Sequence, residues 1–414
     1  MTKQKHRTAW AAVALLSLLV ASPLSSLTPG PALAAKRHSK ETPPAAAAQP
    51  KLPPRTLFTA TEDATATIPG IPDARFWADS ENDFKTALPA RPGPWLILSS
   101  GGADGAFGAG LLNGLAAAGK RPDYSVVTGV STGALMAPFV FAGPRYDDAL
   151  RDAYTKVTAA DIFEAGRTGE SFADSWPLKD QIVKQITPQV INDVAAEHRR
   201  GRRLFVVTSD LDAERFVVWN MGAIAAHGGD DAINLFRSVL LASASIPGAF
   251  PPVLIDVESG GKRFAEMHVD GGLGGQFFVA PTTLMAGTSE YRLPATQLDI
   301  VVNTSLERNF TVVDRFAVNI LAQAVSAAVK VDTRLMLDLA YSLARRSGIP
   351  FNVAVIPGSF NAPSKGPFDP AYMGALYQIG YDLGRSAVPF SNELPAPAAA
   401  PVQSRPAEKT GANQ

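Results

Sequence analysis

Short apolar runs alternate with longer segments of helical periodicity through the middle of the chain. The apolar runs predict buried β-strands at 95–98, 125–128, 203–208, 298–302 and 351–356. Helical periodicity between the runs predicts helices that include 107–118, 231–242 and 313–346. Alternation of strand and helix is typical of a mainly parallel sheet covered by helices on both faces. We therefore expect one α/β domain over residues 57–392, with a three-layer α/β/α architecture.

The N-terminus follows a different pattern. Basic residues precede an uncharged apolar run over 9–20, and small residues follow at 32–35. This order is typical of a secretory signal that is cleaved within the small-residue stretch. An uncleaved membrane anchor is the alternative, but the run is short for a bilayer span and is followed by Pro23. We expect residues 1–35 to be removed, and the mature protein to be periplasmic or secreted, soluble or in peripheral contact with a membrane.

Two further segments lack any periodicity. Residues 36–56 are rich in proline and alanine, and residues 393–414 have the same character. Such composition predicts a linker before the folded domain and a disordered tail after it.

The overall composition narrows the possible chemistry. Of 414 residues, 46% are apolar, which permits a large core, and 38 basic and 38 acidic side chains give a formal net charge of zero. A balanced charge gives no indication of a nucleic-acid partner. The chain has no cysteine, which excludes disulfides, a thiol nucleophile and thiolate metal ligands.

A serine lies between a predicted strand and a predicted helix. Ser131 occupies the centre of Gly129–Gly133, between the strand at 125–128 and a helical run at 134–137. A serine at such a sharp turn projects from the edge of the sheet, and the N-terminus of the helix favours the negative charge that develops during attack. Gly129 and Gly133 let the chain turn without clashes. The motif also occurs by chance, so an ordinary turn residue is an equal alternative.

A glycine-rich turn follows the first predicted strand. Residues 100–105 include Gly101 and Gly102 and open a predicted helix. Acyl transfer needs backbone N–H donors aimed at the developing oxyanion, and glycines allow close approach. A phosphate-binding turn is disfavoured because the segment fits neither G-x-G-x-x-G nor a P-loop. A turn that serves only helix–sheet packing remains the alternative.

A serine nucleophile needs a base, and the histidines offer little support for one. They are His6 in the signal, His38 in the linker, His198, His227 and His268. In the α/β-hydrolase order the catalytic histidine comes last, yet about a third of this chain follows His268. A conventional triad is therefore poorly supported.

An aspartate is better placed. Asp270 follows an alternating apolar segment and precedes Gly271 and Gly272, so its carboxylate can lie at the same sheet edge as Ser131. An aspartate with its ordinary pKa of about 3.9 is a weak base, but partial burial would raise its basicity. The alternative is an ordinary turn aspartate before two glycines.

These motifs, in this order, resemble the patatin-like phospholipase family. They are the glycine turn at 100–105, Gly129–Gly133, the segment 242–252 (Ala-Ser-Ala-Ser-Ile-Pro-Gly-Ala-Phe-Pro-Pro) and Asp270–Gly272. Together they span a motif core at 96–280. The resemblance implies a patatin-like fold and hydrolysis of acyl esters in lipids or phospholipids, through an acyl-serine intermediate.

The resemblance also implies roles for individual residues. Ser131 would be the nucleophile and Asp270 the base of a Ser–Asp dyad without histidine. Gly101, Gly102 and Ala103 would form the oxyanion hole. No cofactor and no metal are implied.

The chain departs from the family at the glycine turn. The family carries three glycines and then a basic residue, whereas here Ser100 takes the first glycine position and Asp104 the basic one. A carboxylate near the oxyanion would oppose charge development unless it points away or pairs with a cation. Two other functions therefore stay open: a non-catalytic lipid-binding envelope protein on the same fold, and a serine esterase or thioesterase that depends on His227 or His268.

Overall fold

The structure, a computed structural model, describes residues 52–395 except 167, 308 and 309. The predicted signal, most of the predicted linker and nearly all of the predicted tail lie outside the described residues. Residues 52–56 precede the first helix, and Leu52 is half exposed.

The elements alternate as the apolar pattern predicts. In chain order they are α1 (Ala60–Ala64), β1 (Arg75–Trp77), α2 (Glu81–Ala87), β2 (Gly93–Leu98), α3 (Gly105–Ala117), β3 (Val126–Val130), α4 (Thr132–Ala142), α5 (Asp147–Thr155), α6 (Ala159–Ile162), β4 (Glu164–Ala165), β5 (Ala173–Asp174), α7 (Trp176–Gln185), α8 (Pro188–Arg199), β6 (Arg203–Asp210), β7 (Arg215–Asn220), α9 (Met221–His227), α10 (Gly229–Ser243), β8 (Val253–Ser259), β9 (Lys262–Asp270), α11 (Thr282–Ala286), β10 (Ala295–Val302), α12 (Ala317–Ser347), β11 (Phe351–Val355) and α13 (Pro370–Arg385).

The centre of the main sheet is parallel. Strands β6, β3, β2, β10 and β11 lie side by side in that order, each parallel to its neighbours. These are the strands that the apolar runs predict, so the predicted α/β fold with a mainly parallel central sheet is confirmed. Antiparallel strands extend the sheet beyond β6: β7 and β1 on one side, and β9 with β8 on the other.

Both faces of the sheet are buried. Along β2, Leu96 and Leu98 pack into one apolar cluster, which includes residues of α3, α4, α5 and α13. Trp95 and Ile97 point to the opposite face and pack with residues of α2, α11 and α12. This alternation explains why the central strands are continuously apolar in sequence. It also gives the predicted three layers.

Helices α3 and α13 cross so closely that their backbones are in contact. A Cβ atom at Gly110 of α3 would lie 2.0 Å from the carbonyl oxygen of Tyr377, and one at Gly380 of α13 would lie 2.1 Å from that of Phe107. Because backbone atoms cannot move aside as a side chain can, glycine is required at this crossing. The crossing fixes α3, which begins at the end of the glycine turn.

None of the described helices is both long enough and apolar enough to cross a bilayer.

The helix crossing can be tested with two identical substitutions. We expect Gly110→Ala to lower the free energy of unfolding by about 1–3 kcal/mol or more, because the new methyl group overpacks the contact with Tyr377. Gly374→Ala in α13 places its methyl group in open space and should stabilise the protein by about 0.5–1 kcal/mol. Urea unfolding measures both changes, and equal effects of the two variants would contradict the close crossing.

Candidate active site

Ser131 lies at the junction between β3 and α4. Its backbone has φ +54° and ψ −121°, a region that costs free energy for a residue with a side chain. The turn is tight, since a Cβ atom at Gly129 would lie 2.4 Å from the oxygen of Gly133, and one at Gly133 would lie 2.4 Å from that of Leu98. Both flanking glycines are therefore required by the conformation that places Ser131 at this turn.

Asp270 lies where the sheet continues beyond the end of β3. Strand β6 pairs with β3 up to Val130, which lies opposite Val207. From the next residue on, β6 pairs with β9, and Asp270 lies opposite Thr208. The last residue of β9 is thereby placed beside the residue that follows β3.

The two side chains are in direct contact. The Ser131 hydroxyl donates to Oδ2 of Asp270 at 2.6 Å, and the amide of Gly272 donates to Oδ1 at 2.7 Å. Asp270 is 5% exposed. Burial raises the pKa of its carboxyl to about 7, while the hydrogen bonds from Ser131 and Gly272 act in the opposite direction. The predicted pair therefore meets, with a carboxylate that is more basic than usual.

The segment at 242–252 holds both members of this pair. The Ser131 amide donates to Oγ of Ser243 at 3.0 Å, and that hydroxyl donates to the Val207 carbonyl at 2.7 Å. The Asp270 amide donates to the Ser245 carbonyl at 2.9 Å. No separate role for Ser243 or Ser245 is predicted from the sequence. Their position in the segment 242–252, one of the four motifs of the family resemblance, is the feature that could have identified them.

The glycine turn lies beside the pair. A Cβ atom at Gly101 would lie 2.0 Å from the carbonyl oxygen of Asn303, so this position also requires glycine. Gly102 and Ala103 begin a 3₁₀ turn, where backbone N–H groups have no partner within the turn. Gln276 links the turn to the loop after Asp270: it accepts from the Ser100 hydroxyl and donates to the Gly272 carbonyl at 2.8 Å.

Asp104 points away from the turn, towards α13. It is 1% exposed, and the Tyr372 hydroxyl donates to its Oδ1 at 2.7 Å. Burial raises the pKa of Asp104 well above its ordinary value, against the effects of Tyr372 and of the positive charge on Lys330. Burial thus disfavours the charged form of Asp104, and the hydrogen bond from Tyr372 directs its carboxyl away from the turn.

The histidines lie elsewhere. His268 is fully buried, with its ring nitrogens bonded to Thr208 at 3.0 Å and Glu266 at 3.1 Å. His227 is exposed at the end of α9. Within the described part of the chain, neither ring hydrogen-bonds to Ser131. A triad built on these histidines therefore has no geometric support.

The buried carboxylate predicts a pH-dependent stability. Because the folded-state pKa of Asp270 is raised to about 7 from 3.8, the folded protein holds a proton that the unfolded chain releases between these values, and stability falls as pH rises through this window. We expect Asp270→Asn to unfold at a higher temperature than the wild type at pH 8.5, with a stabilisation on the order of 3 kcal/mol. The advantage should shrink towards pH 4.

The control for this measurement is Asp256→Asn, at an exposed aspartate of β8. The control should change little across the same range. A constant difference between Asp270→Asn and the wild type from pH 4 to 8.5 would contradict the raised pKa of Asp270.

Comparison with known proteins shows that part of this chain is similar to a known family. The sequence model of the patatin-like phospholipases matches residues 96–282, which confirms the resemblance predicted from the motifs. No curated protein sequence matches the chain. The crystal structure of VipD from Legionella pneumophila aligns with 72% of this chain at 12% identity and a TM-score of 0.38; the alignment covers 66% of the VipD chain, just under two thirds. Residues 96–282 are thus similar in sequence to the patatin-like phospholipases, a family of lipid acyl hydrolases.

Proposed function

We propose that the protein is a serine esterase of the phospholipase A or lysophospholipase type, with Ser131 as nucleophile and Asp270 as base. The observation that carries this proposal is the 2.6 Å hydrogen bond from the Ser131 hydroxyl to a buried Asp270. An ordinary turn aspartate would be solvated and would have no reason to contact a serine held in a strained turn.

The geometry supports a two-step reaction. Oδ2 of Asp270 takes the hydroxyl proton of Ser131 as Oγ attacks the ester carbonyl carbon, and the proton then passes to the leaving alcohol. The amides of Gly101, Gly102 and Ala103, with the N-terminus of α4, stabilise the oxyanion. In the second step Asp270 takes a proton from the water that attacks the acyl-serine, and returns it to Oγ of Ser131 as the bond to the fatty acid breaks. Atoms and charges balance without a cofactor.

The environment of Asp270 suits this role. A carboxyl with a pKa of about 7 is ionised in a large fraction of molecules near neutral pH, and it accepts a proton far more readily than an exposed aspartate does. The hydrogen bond from Tyr372 holds the Asp104 carboxyl away from the proposed oxyanion site.

The dyad is tested by four separate variants. With a short-chain nitrophenyl ester, we expect Ser131→Ala and Asp270→Asn each to lower kcat by about three orders of magnitude or more, because proton transfer from the nucleophile is lost. His227→Ala and His268→Ala, which remove side chains outside the dyad, are the controls. A drop of similar size in either histidine variant, with the fold intact, would favour the His-dependent esterase.

Labelling separates catalysis from binding. A fluorophosphonate should modify the wild type at Ser131 and spare Ser131→Ala. A wild-type protein that neither reacts with this reagent nor turns over any ester would be a lipid-binding protein on the same fold.

We also propose that the protein is exported and works on lipid at a membrane surface. The N-terminal signal pattern supports export. Exposed apolar side chains support surface contact, and they concentrate on α12 and in the segment before it: Phe310 (87% exposed), Val312 (84%), Phe316 (69%), Ile320 (54%), Leu321 (62%), Val331 (59%) and Leu335 (58%). We call this set the α12 apolar face.

The α12 apolar face adjoins the loop that follows Asp270. The backbone amide of Gln276 donates to Oδ2 of Asp332 in α12 at 3.2 Å. A Cβ atom at Gly275 would lie 3.7 Å from the sulfur of Met336 in the same helix. Leu273 in the same loop is 58% exposed. Apolar surface beside a lipid hydrolysis site is suited to partial insertion among lipids.

Surface contact is tested by adding charge to the α12 apolar face. We expect the double variant Ile320→Asp with Leu321→Asp to bind phosphatidylcholine vesicles at least about tenfold more weakly, because two apolar side chains no longer enter the lipid. Hydrolysis of a soluble ester should not change. Ile379→Asp, at an exposed position of α13 on the opposite face of the sheet, is the control. Equal vesicle binding by all three proteins in a sedimentation assay would refute the contact.

A further inference from the structure

Three side chains that the proposed reaction does not use meet in the antiparallel part of the main sheet. Asp210 is the last residue of β6, and it lies opposite His268 of β9 in the register of the two strands. Glu266 lies two residues before His268 and therefore points to the same face of β9. One carboxyl oxygen of each acid and one ring nitrogen of His268 all lie within 4.8 Å of one another. We call these three residues the β6–β9 cluster.

The β6–β9 cluster is shielded from solvent. Asp210 is 1% exposed, and Glu266 and His268 have no exposed surface. A charge in such a place is costly unless it is paired with an opposite charge or coordinates a metal ion. Carboxylates and imidazoles are also the oxygen and nitrogen ligands that proteins offer to divalent transition metals.

The carboxyl group of Asp210 is only half used by the protein. Its Oδ1 accepts from the amide of Asp212 at 2.9 Å and from the amide of Ala213 at 3.4 Å. Its Oδ2 is buried and has no hydrogen-bond partner among the described residues. Since the amides that hold Oδ1 belong to the chain beyond β6, Oδ2 is the oxygen left for the cluster. A buried carboxyl oxygen without a donor indicates a place for a cation or a water molecule.

The ring of His268 is held in the way that a metal ligand is held. Its Nδ1 lies 3.0 Å from the hydroxyl of Thr208, which accepts from the Trp219 indole at 2.8 Å. Its Nε2 lies 3.1 Å from Oε2 of Glu266. In metal sites, the ring nitrogen that does not bind the metal is fixed by a hydrogen bond to a neighbouring group. Thr208 fixes Nδ1 in this way, and Nε2 faces the acidic side chains.

Arginines neutralise only part of the charge in this region. Arg75 donates to both oxygens of Glu266, at 2.7 Å to Oε1. Arg55 donates to both oxygens of Asp212, at 2.9 Å to Oδ1, so its charge is matched by a carboxylate outside the cluster. In the part of the chain that the structure describes, no guanidinium group donates to Asp210.

A further acid approaches the cluster from α1. Asp63 is 6% exposed, and its Oδ1 also lacks a hydrogen-bond partner within the described chain. Burial, together with the negative charges of Asp210 and Glu266, raises the pKa of Asp63 to about 6. The carboxyl group of Asp63 thus adds to a surplus of negative charge that a divalent cation would neutralise.

We propose that the β6–β9 cluster is a structural metal site, with one carboxyl oxygen of Asp210, one of Glu266 and Nε2 of His268 as ligands. The mixed oxygen and nitrogen donors favour Zn²⁺, because Ca²⁺ takes about six to eight oxygen ligands and Mg²⁺ also prefers oxygen. Neither Ser131 nor Asp270 supplies a donor atom, so the metal belongs to the fold and not to the reaction. It joins β6 to β9 just before the point at which β9 ends at Asp270.

The first test is the metal content of the full-length protein. Protein purified without chelators from a medium that contains zinc should carry about one zinc ion per chain by mass spectrometry. After the metal is removed with a chelator, saturating Zn²⁺ should raise the melting temperature by at least about 4 °C, and Ca²⁺ or Mg²⁺ should not. A protein that holds no zinc and whose melting does not respond to Zn²⁺ would overturn the site, and protons would then neutralise the acids.

The second test removes single ligands. Asp210→Asn and His268→Gln each delete a donor with little change in side-chain shape. In calorimetry on chelator-treated protein, we expect each to weaken Zn²⁺ binding by at least about a hundredfold. The matched controls are Asp256→Asn and His227→Gln, which change exposed residues of the same types and should bind Zn²⁺ as the wild type does. Equal binding by all four variants would place the zinc elsewhere and refute the proposal.

Co²⁺ identifies the ligand in the wild type, in case a variant fails to fold. Co²⁺ bound to Nε2 of His268 leaves Nδ1 protonated and bonded to Thr208. We therefore expect a paramagnetically shifted, slowly exchanging imidazole N–H signal in the proton NMR spectrum of the Co²⁺ protein. The same signal should persist in His227→Gln. A Co²⁺ protein without any shifted imidazole signal would exclude the histidine ligand and overturn the site.

These measurements are independent of ester hydrolysis, and the inference does not rest on the proposed function. A protein that bound zinc as described but turned over no ester would retain the metal site and lose the proposed reaction. Turnover by a protein that binds no zinc would have the opposite meaning. The His268→Ala protein, a control for the dyad, loses a ligand of this site, so its ester hydrolysis is compared below its melting temperature.

Discussion

Strand β6 divides one of its edges between two neighbours, and the contact between Ser131 and Asp270 depends on this division. The first half of β6 pairs with β3 and the second half pairs with β9. One strand must end where the other arrives, so the residue that leaves the sheet at Ser131 meets the last residue of β9. The two side chains are 139 positions apart in sequence, yet a single register brings them together.

The same arrangement excludes water from the carboxylate. Asp270 enters the sheet between Thr208 and the turn at Gly271–Leu273, where a charged group is poorly solvated. The resulting rise in its pKa favours proton transfer but costs stability at neutral pH. Ser131 adds a second cost through its strained backbone. The two costs fall on neighbouring turns, which hydrogen bonds from the Ser131 amide to Ser243 and from the Asp270 amide to Ser245 hold in place.

Much of the fold could be predicted from the sequence because the central strands are buried on both faces of the sheet, so each is a continuous apolar run. The parallel strands are continuous apolar runs, and each was predicted. Strands β7 and β8 were not predicted. Strand β8 alternates between buried and exposed positions, and β7 carries an apolar run at 216–219, so both have a strand pattern in sequence that the prediction did not include. The length of α12 was predicted within a few residues, but the exposed side of its N-terminal half was not, because periodicity reports only that a helix forms.

The sequence was enough to identify the residues of the candidate site, but it did not predict how their side chains are oriented. Glycines that flank Ser131 and follow Asp270 are visible in sequence, and the structure shows why Gly129, Gly133 and Gly271 cannot carry a side chain: a Cβ atom there would collide with backbone oxygens. The direction of the Asp104 carboxyl depends on Tyr372, which lies 268 positions away, and no local pattern reports such a partner. The roles of Ser131 and Asp270 in a reaction stay predictions that the contact supports.

The helical layers on the two faces of the sheet differ in what they place beside Ser131 and Asp270. The layer that contains α4, α5 and α7 leaves a small cleft between its helices, whose lining includes Gly102 of the glycine turn and Thr132, the residue after Ser131. The layer that contains α12 presents apolar side chains outward, and Gln276 and Asp332 connect it to the loop after Asp270. On the proposed function, a lipid would therefore approach the site along α12. Ser131 and Asp270 lie at the edge of the sheet between the two layers, so the ester bond would be cleaved where both layers contact the site.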